Sequence, residues 1–341
     1  MLVREGRAAA AAWVEEQAAG DPRFQGAFFS GSTPAMPANG VLPATSDVDV
    51  VVVLAGAQAP PKPGKFGYGG VLLEVTYLPL AALSVADDVA ASHYLAPSFS
   101  GDHVISDPTG LLGRLRDHIA PPFGHPDAVR VRCDDVLGTM ADRLRTLDPA
   151  AAWHEQVTAW MFPTSLTTVL VLVAGLRPPT VRLRYLAARE VLRPQGRDDL
   201  YQALLGLLGC ADADRQAVQR HLDELASTFD LAATVGRTPL FCSTDITPAA
   251  RPIAIDGSQR LIDDGDHREA VFWIIATLAR CQQILAVDAS PAQRRAGELT
   301  FRAAVTDLLG LSDAAGLAGR RAALWGLLPD LRQAAAALTP A

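Results

Sequence analysis

The chain of 341 residues is predicted to be an α+β protein, with a small β-sheet near the N-terminus and helices in the C-terminal part. Short apolar segments rich in β-branched residues lie within 26–106 and are bounded by Gly and Pro, which is typical of strands. After about residue 125 the apolar residues recur with helical spacing. A chain of this length is long enough for two domains, which we place at 1–120 and 127–341.

The N-terminal part is expected to alternate short elements with loops. Residues 4–19 are alanine-rich and end at Gly20-Asp21-Pro22, which predicts an opening helix. The segment 31–46 is dense in Gly, Pro, Ser and Thr and is expected to be a loop, and 56–70 is expected to be a loop or a hairpin. The remaining elements are strands predicted at 26–30, 48–54, 71–78 and 103–106 and a helix predicted at 80–90.

The C-terminal part is expected to be all helix, with Pro-rich joints at 121–126 and 177–179. One irregular stretch, 237–265, is long for a loop inside a compact domain, and long structured loops are often functional. The helices are predicted at 127–147, 153–174, 180–193, 198–208, 213–229, 266–287, 291–310 and 317–337.

Two aspartates open the second predicted strand. Strands disfavour Asp, so Asp47 and Asp49 at the mouth of a valine run need a reason other than folding. Side chains alternate along a strand, so these two point the same way, and their carboxylates repel each other unless cations lie between them. Mg²⁺ takes oxygen ligands and keeps substrate phosphates in its shell, which makes it the expected cation. Glu74, inside the next apolar strand, offers a third carboxylate.

The order of these residues resembles a known signature. Gly31-Ser32 follows the first strand, a spacer of 14 residues comes next, and Ser46 immediately precedes the Asp-x-Asp pair. With Glu74 on a later strand, this order resembles the DNA polymerase β-like nucleotidyltransferase superfamily. In layout the chain is most similar to the aminoglycoside (kanamycin-type) nucleotidyltransferases, which have a short N-terminal catalytic domain and a helical C-terminal domain. The resemblance covers roughly residues 10–115.

The resemblance implies a nucleotidyltransferase domain at 1–120, built on a small mixed β-sheet, followed by a helical substrate-binding domain. The implied reaction moves a nucleoside monophosphate, AMP from ATP by default or another NMP from its NTP, to a hydroxyl of a small molecule and releases pyrophosphate. Asp47, Asp49 and Glu74 are the implied catalytic residues and the implied ligands of two Mg²⁺ ions, for which Mn²⁺ can substitute.

Phosphate binding requires close backbone approach and positive charge. Gly31 lets the backbone approach an anion, so Gly31 and Ser32 are the expected triphosphate-binding pair, and Ser46 fits the family pattern. The preferred cationic partners are Lys65, in the segment before the third strand, and Arg182, expected at the start of a helix just after two prolines. Lys62 and Arg184 are further candidate cations. Glu155 and Glu269, chosen by location only, are candidates for the general base that the kanamycin-type enzymes place in the helical domain.

Composition and sequence features bound the partners and the compartment. The 30 basic and 37 acidic residues give a formal net charge of −7, which argues against a broad nucleic-acid surface. The four cysteines form no CxxC pair, which favours free thiols in a reducing cytosol. The N-terminus lacks a signal-peptide pattern, and the longest apolar stretch, Leu166–Leu176, is too short to span a bilayer. We therefore expect a cytoplasmic protein with no membrane partner, and a homodimer is compatible with the sequence.

Several alternatives stay open at this stage. Asp47 could be a turn or cap aspartate, and Glu74 could be an edge-strand carboxylate that faces water. The same fold could modify protein or RNA, as nucleotidyltransferase toxins and antitoxins do. A catalytically idle member would bind nucleotide and act as a sensor or scaffold. The intact Asp47, Asp49 and Glu74 argue against idleness, and the acidic balance argues against RNA.

Overall fold

The computed structural model describes residues 1–56 and 58–339. The chain divides into two compact units. Unit 1 contains Met1–Asp135 and Leu176–Thr180, and unit 2 contains Val136–Gly175 and Val181–Leu338. A mixed sheet lies in the N-terminal half and helices make up most of the rest, so the predicted α+β class is confirmed.

Within the described residues, unit 1 contains a five-stranded sheet in the order β3-β4-β2-β1-β5. The central pair, β2 and β4, is parallel, and every other neighbouring pair is antiparallel. The mixed character of the sheet is therefore confirmed. Its strands are β1 (Phe24–Ser30), β2 (Val48–Leu54), β3 (Gly64–Tyr68), β4 (Val71–Pro79) and β5 (Val104–Ser106).

Both faces of the sheet are covered, because alternate residues of β2 are apolar on each side. Val48, Val50 and Val52 pack with Val3 and Trp13 of the N-terminal helix. The opposite face packs against the helices that follow the sheet, through apolar residues that include Phe28, Val51, Val53, Leu83, Val89, Leu112 and Leu115. The helices of unit 1 are α1 (Val3–Trp13), α2 (Ala86–Ala91), α3 (Leu111–Ile119) and the first half of α4 (Pro126–Arg145).

The segment 56–70 was expected as a loop or a hairpin, and the hairpin is confirmed, because β3 within it pairs with β4. Gly69 and Gly70 connect them with φ of +57° and +79°, the conformation of a two-residue type I′ turn. The opening helix is α-helical only to Trp13 and continues as a π-helical turn, Val14–Ala18. The helix α3 was not predicted, although its buried Leu and Ile residues follow helical spacing.

Unit 2 is helical, as predicted for the C-terminal part. The stretch 237–265 was expected to be irregular, but it contains short helices. Pro252 is compatible with one of them, because it lies in the first turn, where its missing N–H costs nothing. The helices are the end of α4 and then α5 (Trp153–Thr164), α6 (Leu166–Ala174), α7 (Arg184–Leu192), α8 (Asp198–Leu208), α9 (Arg215–Val235), α10 (Arg251–Ala254), α11 (Asp256–Asp263), α12 (His267–Asp288), α13 (Pro291–Leu309) and α14 (Ala314–Leu338).

Two helical runs are long and apolar enough to cross a membrane by length and composition, namely Trp153–Ala174 and His267–Asp288. In each, 78% of the most apolar window is buried inside the protein. The core helices of a folded domain meet the same two criteria. The first run was predicted as one helix, but Ser165 separates α5 from α6 just after Pro163, which lacks the N–H that a helix interior requires.

A buried ion pair joins α7, α8 and α12. Glu269 is only 2% exposed, and its carboxylate accepts hydrogen bonds from Arg189, at 2.8 Å, and from the hydroxyl of Tyr201. Arg189 also contacts Asp266 at 2.8 Å. Removing one partner of a buried pair leaves the other charge uncompensated, so this contact holds the helices of unit 2 in place.

Glu269→Ala should therefore lower the free energy of unfolding by about 3–5 kcal/mol. The matched control is Glu155→Ala, because the exposed Glu155 carboxylate accepts only the Ala152 N–H at the start of α5, a cap worth about 0.3–1.5 kcal/mol. Urea unfolding followed by far-UV circular dichroism gives both values. Equal losses in the two variants would contradict a structural role for the buried Glu269 pair.

Candidate active site

Strand pairing brings the three predicted carboxylates together. In the parallel pair β2–β4, Asp49 lies opposite Glu74, and Asp47 precedes Asp49 by two residues and so points to the same face. Carboxylate oxygens of all three lie within 4.8 Å of one another. We call Asp47, Asp49 and Glu74 the carboxylate cluster. Oxygen donors at this spacing fit a hard divalent cation such as Mg²⁺.

The backbone at Gly31 lies directly against the carboxylate cluster. Gly31 has φ of +67°, a left-handed conformation that glycine adopts without strain. A Cβ built on Gly31 would lie 1.9 Å from Oδ2 of Asp49, far inside contact distance. Only glycine fits here, so the bare backbone after β1 lies where it can meet an anion next to the cluster.

The loop after Gly31 is tied to the first helix. Ser32 is exposed and precedes a 3₁₀ turn over Thr33–Ala35. The Arg7 guanidinium donates to the carbonyl oxygens of Thr33 and, at 3.2 Å, of Met36. Ser46 is half-buried in a turn in which its backbone N–H donates to Pro43 O at 3.0 Å. The predicted pair Gly31-Ser32 and Ser46 therefore flank the two ends of a braced loop.

Two lysines contact the carboxylate cluster. Lys65 lies opposite Glu74 in the β3–β4 pair. Its Nζ donates to Asp47 Oδ2 at 2.5 Å and to Glu74 Oε2, and its side chain is 8% exposed. Lys62 Nζ donates to Glu74 Oε1 at 3.0 Å. Sequence reasoning placed these lysines near a triphosphate, whereas the structure pairs both of them directly with the cluster.

Within the cluster, the pKa of Asp49 is raised and the pKa of Glu74 is lowered. Burial, together with the nearby carboxylates of Asp47 and Glu74, raises the pKa of Asp49 well above its usual value. Burial also acts to raise the pKa of Glu74, but the ammonium groups of Lys65 and Lys62 outweigh it and lower that pKa to about 2. The Lys65 pKa is raised because Asp47 and Glu74 overcome the opposing effect of burial. The cluster therefore favours added positive charge at Asp49.

A cleft of about 240 Å³ opens beside Gly31 in unit 1. Its lining includes the hydroxyls of Ser30 and Ser98, whose Oγ atoms are 3.5 Å apart, and the ring of His103. Ser30 pairs with Asp49 across β1–β2, which connects the cleft to the carboxylate cluster. Burial lowers the pKa of His103, with the nearby Arg7 charge acting in the same direction, so the imidazole favours the neutral form.

Arg177 lines the same cleft in a segment with a fixed backbone. The preceding residue, Leu176, has φ of +51° and is the one non-glycine residue with positive φ among the described residues. Pro178 and Pro179 follow, so the chain has little freedom on either side of Arg177. A strained backbone next to a cleft is often kept for function.

The contacts recorded for the predicted residues of the helical part are with other residues of unit 2. Arg182 was expected at a helix start, but α7 begins at Arg184, so that placement is wrong. The two prolines delay the helix by fixing an extended chain before it, and the Arg182 guanidinium donates to Gly257 O at 3.3 Å in unit 2. Arg184 is buried and donates to Ser165. Glu155 caps α5, as described above for the control variant, and Glu269 is closed off in its ion pair.

Sequence reasoning missed several residues at this site. Arg177 lies on the other side of the two prolines that were used to select Arg182. Tyr94 is 59% exposed, and its pKa is raised first by burial of its hydroxyl and then by the charges of Asp49 and Glu74. Tyr94 lies in a segment without strand or helix periodicity and therefore gave no signal in the sequence.

Comparison with known proteins finds no relative from which the chemistry could be taken. No family model and no curated protein matches this chain. What the site can do therefore has to be judged from its own residues. The three clustered carboxylates offer oxygen ligands to a cation, and two ammonium groups and a glycine turn lie against them.

Gly31→Ala should disturb Asp49 in addition to straining the backbone. The matched control is Gly196→Ala, because Gly196 has nearly the same φ, +69°, and nothing within 4 Å of an added Cβ. The control should lose about 1–2 kcal/mol of stability from the left-handed backbone alone. Gly31→Ala should lose more and should bind Mn²⁺ more weakly in calorimetry. Equal losses of stability with unchanged Mn²⁺ affinity would rule out the Gly31–Asp49 contact.

The contribution of Glu74 to stability should depend on pH. Its pKa of about 2 in the folded protein lies below the ordinary glutamate value of 4.5, so the ionised form stabilises the fold above pH 4.5, and this stabilisation is lost as the pH falls towards 2. Wild type should exceed Glu74→Gln by on the order of 3 kcal/mol at pH 7. Denaturant unfolding at pH 7, 4 and 3 should show that difference shrinking, and a constant difference would contradict the ion-pair assignment.

Proposed function

We propose that the protein is a nucleotidyltransferase that moves a nucleoside monophosphate, AMP by default, from an NTP to a hydroxyl of a small molecule. The observation that carries the proposal is the convergence of Asp47, Asp49 and Glu74 within 4.8 Å, next to the glycine turn at Gly31. A turn aspartate and a water-facing edge glutamate would have no reason to meet at this spacing.

The carboxylate cluster addresses the main difficulty of nucleotidyl transfer, which is charge. The nucleophile approaches an anionic phosphate while a second anion, pyrophosphate, leaves. Asp47 and Asp49 would hold the ion that binds the triphosphate, and Asp47, Asp49 and Glu74 would hold the ion next to the acceptor hydroxyl. When bound, the two ions stabilise the attacking and leaving oxygens of an in-line displacement. The sheet sets the positions of these side chains, because Asp49 and Glu74 are paired across β2 and β4 and Asp47 immediately precedes β2.

The residues around the cleft suit the nucleotide. Gly31 allows the backbone to approach the phosphates, and Ser30, whose Oγ accepts a hydrogen bond from the buried Ser98, offers a hydroxyl donor. Arg177 supplies a guanidinium that can bind phosphate oxygens in two places. The volume of about 240 Å³ is below the range of about 300–1,000 Å³ for whole ligands, so the cleft would hold only a part of the nucleotide. The exposed ring of Tyr94 offers a surface on which a base can stack.

A small acceptor fits the charge of the protein better than a nucleic acid does. The formal net charge of −7 works against an extended polyanion. Transfer to RNA or protein keeps the same site and is the first alternative. A nucleotide-binding scaffold without turnover is the second alternative, since Lys65 and Lys62 already compensate part of the charge of the cluster.

Nucleotide binding should depend on the metal and on the cluster. Wild type should bind a non-hydrolysable ATP analogue in calorimetry with Mg²⁺ or Mn²⁺ and much more weakly with EDTA. Asp47→Asn and Asp49→Asn remove a ligand without changing shape, so each should weaken the metal-dependent binding at least about tenfold, a cost of about 1.4 kcal/mol. The control is Asp127→Asn, an exposed aspartate of unit 1 that pairs with Arg130. Wild-type binding by both cluster variants would refute the assigned site.

The acceptor is tested with α-labelled ATP. The protein is incubated with a small-molecule extract, with total RNA or with total protein, and the label is followed in each fraction together with pyrophosphate release. We expect label only in small molecules. Label in RNA or protein would move the function to the first alternative, and metal-dependent binding with no transfer in any fraction would move it to the second.

A further inference from the structure

The ammonium group of Lys65 lies on the oxygens that a divalent cation would need. It donates to Asp47 Oδ2 at 2.5 Å and to Glu74 Oε2, and those two residues belong to the same cluster of oxygens within 4.8 Å. The position is set by the backbone, because Lys65 is paired with Glu74 in the β3–β4 hairpin. A cation that binds these oxygens therefore competes with the lysine.

The choice of residue supports an exchangeable contact. Lys62 and Lys65 are the only lysines in the chain, whereas the other 28 of its 30 basic residues are arginines. Arginine holds a carboxylate with two parallel hydrogen bonds in a rigid plane, whereas lysine is a compact charge on a flexible stem. Both lysines contact the carboxylate cluster. A lysine at position 65 can release Asp47 and Glu74 more readily than an arginine could.

The charges define what has to be exchanged. The three carboxylates and the two ammonium groups nearly balance one another, so a divalent ion added beside Lys65 would meet a cation at close range. An NTP brings several negative charges to the same place. Phosphate oxygens are good acceptors for a lysine ammonium, so the nucleotide offers Lys65 a new partner while the metal takes its old ones.

We propose that Lys65 is a positioning residue that excludes the divalent cation from Asp47 and Glu74 until a nucleotide triphosphate accepts its ammonium group, so that metal and nucleotide bind cooperatively. The second half of this proposal, in which the Lys65 ammonium group moves from the carboxylates to a phosphate oxygen, rests on the proposed function. The first half, competition between Lys65 and the metal, concerns only contacts within the protein. By linkage, the factor by which the nucleotide raises metal affinity equals the factor by which metal raises nucleotide affinity.

The first test measures Mn²⁺ binding by calorimetry and by electron paramagnetic resonance. Lys65→Gln removes the competing charge, so this variant should bind Mn²⁺ alone at least about tenfold more tightly than wild type, as the loss of a cationic competitor requires. A non-hydrolysable ATP analogue should raise Mn²⁺ affinity strongly in wild type and only slightly in Lys65→Gln. Lys65→Arg keeps the positive charge. If Lys65 has only a structural role, this variant should bind Mn²⁺ as wild type does, with and without nucleotide. If Lys65 competes with the metal as proposed, the Mn²⁺ affinity of Lys65→Arg should stay weak even with nucleotide.

The second test observes the two lysines in the wild-type protein, so its result does not depend on whether a Lys65 variant folds. With only two lysines in the chain, the Nζ–Cε signals of selectively labelled wild-type protein can be assigned by single replacements. The Lys65 signal should move little with Mg²⁺ alone and clearly with Mg²⁺ and the ATP analogue together. A Lys65 signal that does not respond when calorimetry shows both ligands bound overturns the proposal.

The outcomes separate the two proposals. If wild type binds no nucleotide under any condition, the proposed function fails, and tighter Mn²⁺ binding by Lys65→Gln still supports the competition. If wild type binds nucleotide but Lys65→Gln binds Mn²⁺ alone no more tightly than wild type, the competition is refuted and the proposed function stands. Lys62→Gln serves as the control, because Lys62 contacts Glu74 at 3.0 Å and is more exposed, so its effect on Mn²⁺ affinity should be smaller.

Discussion

The mutual repulsion of three carboxylates is the constraint around which unit 1 is arranged. Asp49 and Glu74 are direct neighbours in a parallel pair of strands, and the register cannot slip to separate them. A shift by one residue would turn Val48, Val50 and Val52 away from α1 and would place Asp49 on the face that α1 covers. Hydrophobic packing thus holds the acidic groups together, and other parts of the unit have to compensate for the electrostatic cost.

The compensating charge comes from Lys65 and Lys62, in the segment that precedes β4. The backbone turns sharply at Gly31, where no side chain separates it from Asp49. Arg7 holds the following loop through carbonyl oxygens and so keeps that turn near the cluster. Burial and, after it, the charges of Asp47 and Glu74 raise the pKa of Asp49, so an added cation would stabilise its ionised form.

Patterns local to one strand predicted the main parts of this arrangement. Asp in a valine strand is costly, so Asp47 and Asp49 were informative by themselves, and the sheet and its strands β1, β2, β4 and β5 follow from apolar segments between Gly and Pro. Contacts between elements were not predictable in the same way. The pairing of Lys65 with Glu74 depends on a strand rich in Gly, which has little strand propensity of its own. Arg177 depends on the path of the chain after α6, which single-sequence periodicity does not describe.

Because β3 is an edge strand, the backbone at Lys65 is held less firmly than the backbone at the carboxylate cluster. The acidic residues are on or next to β2 and β4, which have neighbours on both sides, whereas Lys65 is on a strand with one neighbour. Edge strands have unpaired backbone groups and open locally at a lower free energy than central strands. Fraying of β3 would therefore move Lys65 away from the carboxylate cluster, while Asp47, Asp49 and Glu74 keep their positions on or next to the central strands.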